Sequence, residues 1–251
     1  MMTKSNLFKN ALMMTAFLAL AACAGSNGEE TNLASGVEPD DTTIEQPYDS
    51  SAQSETPDEM EMVQEAALSS SQKAAILRKY DHLDRSRVVP TKALETAVLY
   101  FDQNKSKLKN QKYISILDFG KRSSVKRFHI VDMKTGKVWS LHVSHGKGSD
   151  KNHDGYAESF SNRSGSHASS IGYYITGSTY NGSNGLSLRL DGKSSTNSAA
   201  RGRAIVIHGA SYVKDSNRIQ GRSWGCPAFS KANYKEVISK LKGGSLIYAL
   251  K

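Results

Sequence analysis

The stretch RAIVIHGASYVKDSNRIQGRSWGCPA, residues 203–228, combines an apolar segment, a histidine and a cysteine. Ala204 to Ile207 are apolar and are typical of a buried strand. The strand ends at His208-Gly209, where a rigid scaffold holds the imidazole and a cleft can still reach it. Cys226 follows at the end of the stretch and is one of only two cysteines in the chain.

The loop before this cysteine, GRSWGC, is punctuated by Gly221 and Gly225. Glycines there permit tight turns and let a substrate approach the backbone closely. Taken alone, His208 is typical of a hydrogen-bonded structural histidine and Cys226 of an inert buried thiol. Taken together they favour thiol catalysis, because an imidazole is the base that generates a thiolate. Backbone N–H groups of the loop are candidate donors to a developing oxyanion.

The segments around this stretch predict a mainly β (α+β) domain over residues 111–251, preceded by a helical lobe over residues 67–110. Apolar residues at helical spacing predict helices within residues 69–83 and 91–108 of the lobe. One further helix is expected within residues 230–244, with Gly243 and Gly244 as its stop. The other predicted strands are KYISILDF (112–119), VKRFHIVDM (125–133), KVWSLHVSH (137–145), SIGYYITGSTY (170–180), GLSLRLDG (185–192) and SLIYAL (245–250).

The first 22 residues are typical of an export signal, with Lys4 and Lys9 before a short apolar stretch. The stretch ends in Leu-Ala-Ala-Cys, which resembles the bacterial lipobox and predicts lipidation of Cys23; the alternative is an ordinary cleavage site with a chance cysteine. Ala24 is not the aspartate that resembles an inner-membrane retention signal. The expected location is therefore the periplasm, anchored by lipid to the outer membrane. Cys226 is then left without a partner in the mature chain, which flags it as a reactive thiol or an intermolecular bridge.

Residues 23–66 are predicted to be a disordered acidic tether behind the lipidated cysteine. They hold 12 of the 24 Asp and Glu residues and no Lys or Arg, and they are too polar to order themselves. The 31 Lys and Arg and 12 Asp and Glu that follow give residues 67–251 a charge near +19. Such a charge favours an anionic polymer as partner. Export argues against nucleic acid and favours cell-wall material; the alternative is a basic surface that only aids solubility.

His208-Gly209, a gap, and then Ser223-Trp224-Gly225-Cys226 together resemble the signature of L,D-transpeptidases, bacterial thiol enzymes that remodel peptidoglycan. The resemblance extends over roughly residues 80–250. The supporting runs are VSHGKGS, FSNRSGS, SIGYYITGSTY, GLSLRLDG, RAIVIHGASYV and GRSWGCPA. The commoner pattern has histidine at Trp224, and arginine shortly after the cysteine where Pro227-Ala228 stand here. Chain order excludes papain-like enzymes, in which the cysteine precedes the histidine.

The resemblance implies an L,D-transpeptidase-like β-sandwich or barrel, with Cys226 as nucleophile and His208 as base. The implied substrate is a tetrapeptide stem of peptidoglycan, which loses D-alanine through an acyl-enzyme and becomes joined in a 3–3 cross-link. Water as acceptor would make the site an L,D-carboxypeptidase instead. The non-enzymatic alternative is a lipoprotein that binds the cell wall without catalysis. A monomer is expected, and the sequence leaves open whether the acceptor is a stem peptide, water, a D-amino acid or a protein lysine.

The remaining candidate residues are predicted to contact the substrate or the oxyanion: Gly209, Arg222, Ser223, Trp224, Gly225 and, more weakly, Arg189 and His145. Alternative interpretations make Arg189 a sheet-surface charge and His145 a turn residue. No cofactor and no metal are expected. The segment DKNHDG, residues 150–155, begins like a calcium loop, but Ser161 stands where that loop requires a glutamate. The scattered histidines show no zinc spacing.

Overall fold

The computed structural model describes residues 68–251, and the predicted export signal, the predicted lipidation site Cys23 and the predicted acidic tether lie outside them. Within these residues, no helix has the length and apolar character needed to cross a membrane. Three α-helices and eight strands form the fold, which confirms the predicted mainly β class. The helices are α1 (Ser70–Arg78), α2 (Thr91–Asn104) and α3 (Tyr234–Leu241). The strands are β1 (Tyr113–Asp118), β2 (Phe128–Asp132), β3 (Val138–Leu141), β4 (Gly172–Gly182), β5 (Gly185–Gly192), β6 (Val206–Ala210), β7 (Ala228–Ser230) and β8 (Leu246–Leu250).

All eight strands belong to one sheet, in the order β3-β2-β1-β8-β4-β5-β6-β7. The β1–β8 and β6–β7 pairs are parallel and the other neighbours are antiparallel. Parallel strands need a crossover connection, and residues 211–227, which include the cysteine loop, supply the one between β6 and β7. The helix α3 connects β7 to β8, which are not neighbours in the sheet. The strand β7 was not predicted, because three residues are too few to show an alternating pattern.

Two hydrophobic clusters cover the sheet. Ala97, Val98 and Phe101 of α2 pack with residues of β1 and β8, such as Ile114 and Leu246. The larger cluster contains Val237, Ile238 and Leu241 of α3 with residues from most of the strands. The periodic apolar faces of both helices are therefore used to cover the sheet. Ser69 begins α1 with a reciprocal pair of hydrogen bonds to Gln72, the capping box that this sequence pattern favours.

The two outer edges of the sheet approach each other and leave it nearly closed. β3 ends at Leu141, four residues earlier than predicted, because the chain then leaves β2 and runs beside the cysteine loop. The Ser144 N–H donates to the Ala228 carbonyl at 3.0 Å, and the Ser223 N–H donates to the His145 carbonyl at 2.9 Å. Edge strands expose unpaired backbone groups. Here the segment that follows β3 forms hydrogen bonds with backbone groups of β7 and of the cysteine loop. The cysteine loop therefore lies where the two edges of the sheet meet.

Candidate active site

Cys226 and His208 lie on neighbouring segments of the sheet. His208 of β6 pairs with Ala228 of β7 in parallel register. Continuing this register back along the chain brings Cys226 level with Val206, and the Val206 N–H donates to the Cys226 sulfur at 3.5 Å. Val206 and His208 share one face of β6 and are about 6.6 Å apart along it. The sheet thus brings the two predicted catalytic residues to one place, although they are far apart in the chain.

The thiol is enclosed to a greater extent than the sequence suggested. Cys226 is 6% exposed and belongs to the main hydrophobic cluster, and His208 is fully buried. The sulfur is nevertheless in a polar setting, because its S–H also donates to the Ala204 carbonyl at 3.7 Å. Ala204 has a φ of +54°, in the left-handed region that a residue with a Cβ seldom adopts. That turn in the backbone precedes β6 and presents the carbonyl to the thiol.

Ser223 holds the cysteine loop in its bent shape. Its hydroxyl donates to the Cys226 carbonyl at 2.7 Å and accepts from the Gly225 N–H at 3.1 Å. Gly225 has a φ of +122°, and a Cβ there would lie 2.8 Å from the Ala168 carbonyl oxygen. The Gly225 N–H is thus engaged within the loop, and its contact with the oxyanion stays a prediction. Both hydrogen bonds of the Ser223 hydroxyl are made within the cysteine loop.

His145 belongs to a buried polar chain behind the loop. Its ring is 1% exposed, and it contacts Arg127 through Nδ1 at 2.8 Å and Asp150 through Nε2 at 3.0 Å. Arg127 and Asp150 are themselves fully buried. Burial lowers the pKa of His145 to about 4 and that of Arg127 to about 9. Both ring nitrogens of His145 thus help to brace the segment that pairs with Ser223, and its contact with the substrate stays a prediction.

Trp224 and Arg222 are the half-buried side chains of the loop. The indole of Trp224 stacks on the His167 ring, with centroids 4.5 Å apart and an interplanar angle of 14°. Lys147 places its ammonium group 5.2 Å from the Trp224 ring centroid. Arg222 donates to the backbone carbonyl of Asp150. The aromatic stack and the lysine form a cationic and aromatic surface that begins two residues before Cys226.

The structure places the other two candidates on β5 and on the far face of β6. Arg189 is 3% exposed, lies over the Tyr180 ring at 4.3 Å and donates to Ser178, so it is not a sheet-surface charge. Its strand neighbour Ser187 pairs with His208. A Cβ on Gly209 would lie 2.5 Å from the Tyr234 ring, so this glycine allows α3 to pack on β6. The contact of Gly209 with the substrate stays a prediction.

The L,D-transpeptidase catalytic domain model matches residues 85–250, about two thirds of the chain. The chain belongs to the L,D-transpeptidase catalytic domain family. A search of curated proteins finds no match.

Solved structures of other L,D-transpeptidases and a cell-shape protein align with part of the chain. Mycobacterium tuberculosis L,D-transpeptidase 1 has 15% identity and a TM-score of 0.32, over 56% of this chain and 62% of its own. The helical cell shape determining protein Pgp2 from Campylobacter jejuni has 13% identity and a TM-score of 0.37, over 57% and 49%. The L,D-transpeptidase from Xylanimonas cellulosilytica has 16% identity and a TM-score of 0.31, over 57% and 62%. The chain thus spans about half to three fifths of these proteins.

Two side chains of this L,D-transpeptidase domain were missed by sequence reasoning. A Cβ on Gly225 would lie 3.2 Å from Nη2 of Arg203, and Tyr174 lines a small cavity together with Gly225 and Pro227. Burial raises the pKa of Tyr174 to about 12, and its hydroxyl donates to the Ser170 carbonyl at 2.8 Å. Arg203 stands immediately before the apolar strand, a position that charged residues often occupy on a surface. Its sequence context gave no signal of proximity to the cysteine.

The calcium-like segment of the L,D-transpeptidase domain is a structural turn. The Asp150 carboxylate accepts hydrogen bonds from the Asp154 and Gly155 N–H groups at 3.1 and 2.9 Å, in addition to its contact with His145. Burial alone would raise the pKa of Asp150, but the hydrogen bonds and the His145 contact together outweigh burial and hold that pKa below its usual value. No group of three His, Cys, Asp or Glu side chains that could hold a metal ion occurs in residues 68–251.

Proposed function

We propose that this protein is a peptidoglycan L,D-transpeptidase that forms an acyl-enzyme on Cys226 from tetrapeptide stems and makes 3–3 cross-links. The single observation that carries the proposal is the β6–β7 register, which pairs His208 with Ala228 and brings the Cys226 sulfur to 3.5 Å from the Val206 N–H. Membership of the L,D-transpeptidase family supports the reaction class. The fold supplies a rigid strand for the base and a braced loop for the nucleophile.

The proposed reaction follows from these two groups. His208 accepts the Cys226 proton, and the thiolate attacks the carbonyl that joins the diamino acid at stem position three to D-alanine. The peptide bond breaks, the leaving D-alanine amine receives the proton from His208, and a thioester remains on the sulfur. The side-chain amine of a second stem then attacks the thioester, which forms an amide bond and returns the proton to the thiolate. If water attacks instead, the same site acts as a carboxypeptidase.

The surroundings proposed for this chemistry follow from the sequence and from charge. Lipidation at Cys23 and an acidic tether would hold the domain to the outer membrane in the periplasm, where peptidoglycan lies. The net charge near +19 of residues 67–251 suits an anionic wall polymer. The same charge favours a second candidate, a lipoprotein that binds the wall without turning it over. We propose that the protein acts as a monomer.

Incubation of the purified protein with disaccharide-tetrapeptide muropeptides tests the proposal. Liquid chromatography with mass spectrometry should detect free D-alanine together with a 3–3 linked dimer. Tripeptide without dimer would mean that water is the acceptor. Cys226→Ser keeps the shape of the side chain and should abolish both products, while His208→Gln should reduce them at least about 100-fold.

A matched control separates loss of chemistry from loss of folding. The Cys226→Ser variant should retain the melting temperature and the peptidoglycan affinity of the wild type. A carbapenem should add covalently to the wild type and not to this variant, as read by intact-protein mass spectrometry. Wall binding by the wild type with no D-alanine release from any stem peptide would instead support the non-catalytic candidate.

A further inference from the structure

Arg203 has a half-buried guanidinium that joins three parts of the site. Nη1 donates to the Ser161 carbonyl at 2.6 Å, and Nη2 donates to the Ala168 carbonyl at 2.5 Å. Ser161 and Ala168 belong to the loop that packs against the cysteine loop, where the Ser169 hydroxyl donates to the Gly225 carbonyl at 3.1 Å. Weaker bonds run to the Ser170 and Ser166 hydroxyls, so all four acceptors of Arg203 are neutral oxygen atoms. The bonds of Arg203 to this loop therefore leave its positive charge uncompensated by a carboxylate.

That positive charge lies close to the nucleophile. A Cβ built on Gly225, the residue directly before Cys226, would lie 3.2 Å from Nη2 of Arg203. On the other side, the residue that follows Arg203 is Ala204, whose carbonyl accepts from the Cys226 thiol at 3.7 Å. Arg203 is thus connected to the Cys226 segment twice: its guanidinium reaches Gly225, and the carbonyl of the next residue, Ala204, accepts from the thiol. Few other charges near the thiol can act in the same way.

Several titratable groups on the elements around Cys226 carry no charge at neutral pH. Tyr174 of β4 has a raised pKa because of burial, so it is a neutral phenol. His145 has a lowered pKa for the same reason and is neutral, and it contacts Asp150. His208 of β6 is the proposed base.

Other arginines on these elements are directed elsewhere. Arg222 of the cysteine loop donates to the Asp150 carbonyl, and Arg189 of β5 lies over the Tyr180 ring and donates to Ser178. Arg203 is the arginine whose guanidinium reaches the residue directly before Cys226.

The electrostatic effects agree in sign with this geometry. Burial lowers the pKa of Arg203, whereas the charge of an ionised Tyr174 and that of an ionised Cys226 both raise it. An interaction between two groups acts equally on both, so the guanidinium favours the thiolate as much as the thiolate favours the guanidinium. Arginine beside a cysteine is one of the arrangements that lower a thiol pKa in proteins.

We propose that Arg203 is a charge partner of Cys226, which stabilises the thiolate in the resting enzyme in addition to the base His208. The inference rests on the proposed function, because it concerns the ionisation of the proposed nucleophile. The loop over residues 161–170 then has two roles: it packs against the cysteine loop, and it holds the guanidinium of Arg203 in place. A fixed cation would keep part of the thiol ionised even when the imidazole is neutral.

The pH dependence of Cys226 alkylation tests this inference without any turnover. Iodoacetamide reacts with the thiolate and releases iodide, and mass spectrometry of the peptide that contains Cys226 gives the rate at each pH. In Arg203→Gln, which keeps amide donors and loses the charge, the apparent thiol pKa should rise by about one unit, so alkylation at pH 7 should slow about tenfold. Arg201→Gln removes the same charge from an arginine that is paired with Asp191 at 2.7 Å, and its profile should match the wild type.

Arg203→Lys separates charge from hydrogen bonding. A lysine retains the positive charge but cannot donate to two carbonyls from two nitrogens. The inference requires its thiol pKa to stay within about half a unit of the wild type. A wild-type profile in a folded Arg203→Gln variant overturns the inference, as does a shift of a full unit in Arg203→Lys, whether or not the glutamine variant folds. Absence of D-alanine release in the wild type would overturn the proposed function alone.

Discussion

The guanidinium of Arg127 donates to Nδ1 of His145 at 2.8 Å, and this contact fixes the protonation state of the imidazole. A guanidinium has no acceptor atom, so Nδ1 must offer its lone pair and Nε2 must carry the proton that is donated to Asp150. His145 is therefore neutral in the folded protein. The His145 carbonyl accepts a hydrogen bond from the Ser223 N–H. The neutral state of the His145 ring is therefore linked to the shape of the cysteine loop.

The stability of the domain should fall as the pH drops from about 6.5 to about 4. Burial lowers the pKa of His145 from 6.5 to about 4, so in this window the unfolded chain binds a proton that the folded protein excludes. The contribution is fully present above the unfolded pKa and amounts to about 3 kcal/mol at most. Urea unfolding at pH 4 to 8 should show the slope, and His145→Gln should reduce it.

His129 contributes to the same slope, because burial also lowers its pKa to about 4. The slope should therefore shrink in His145→Gln and not disappear. His82→Gln is the matched control: this ring is half-buried and its Nε2 contacts the Met133 carbonyl. An unchanged slope in His145→Gln would contradict the assignment of a neutral, proton-excluding imidazole.

Gly225 and Gly165 should respond differently to the same substitution. Both have a positive φ, +122° and +72°, but a Cβ at Gly225 meets the Ala168 carbonyl at 2.8 Å while a Cβ at Gly165 meets nothing within 4 Å. Gly165→Ala should cost about 1 kcal/mol of unfolding free energy from backbone strain alone. Gly225→Ala should cost about 3 kcal/mol or more and should abolish D-alanine release. Equal unfolding free energies for the two variants would show that the loop has room to move.

Ser223→Ala should impair both stability and catalysis. The substitution removes the bond to the Cys226 carbonyl at 2.7 Å and the acceptor for the Gly225 N–H, at a cost of about 1–3 kcal/mol. We expect the rate of D-alanine release to fall at least about tenfold, because the thiol loses its fixed direction. Ser216→Ala, on the exposed part of the preceding loop, should change neither quantity. Wild-type turnover in Ser223→Ala would contradict the proposal that Ser223 braces the cysteine loop.

Trp224→Ala should weaken substrate binding while leaving the thiol reactive. The indole stacks on His167 and lies under the Lys147 ammonium group, so its loss disperses the cationic and aromatic surface. We expect KM for a tetrapeptide stem to rise about tenfold, with unchanged alkylation of Cys226 by iodoacetamide. Trp224→Phe retains a ring for the stack and should lie close to the wild type. A fall in kcat with unchanged KM would place Trp224 in the chemistry instead.

Several features of the fold and site could be predicted from local patterns. The apolar segment before His208, the alternation in the other strands and the helical spacing in residues 91–108 led to the correct class of fold. The roles of Gly209 and His145 could not be predicted, because each depends on what stands opposite. Gly209 faces Tyr234 of α3, and His145 faces Arg127 of a different segment. The end of β3 at Leu141 depends likewise on pairing with the cysteine loop.

By itself the sequence determined the residue types and their order: a histidine that ends an apolar strand, then a glycine-punctuated loop and a cysteine. Periodicity and motif spacing are local properties of the chain, so they can be recognised without knowledge of the fold. Only the tertiary structure decided that the two edges of the sheet meet at Ser144 and Ala228, that the Arg203 guanidinium reaches the residue before Cys226, and that His145 is neutral. These depend on distances between distant segments and on exclusion of water, which arise only when the chain packs.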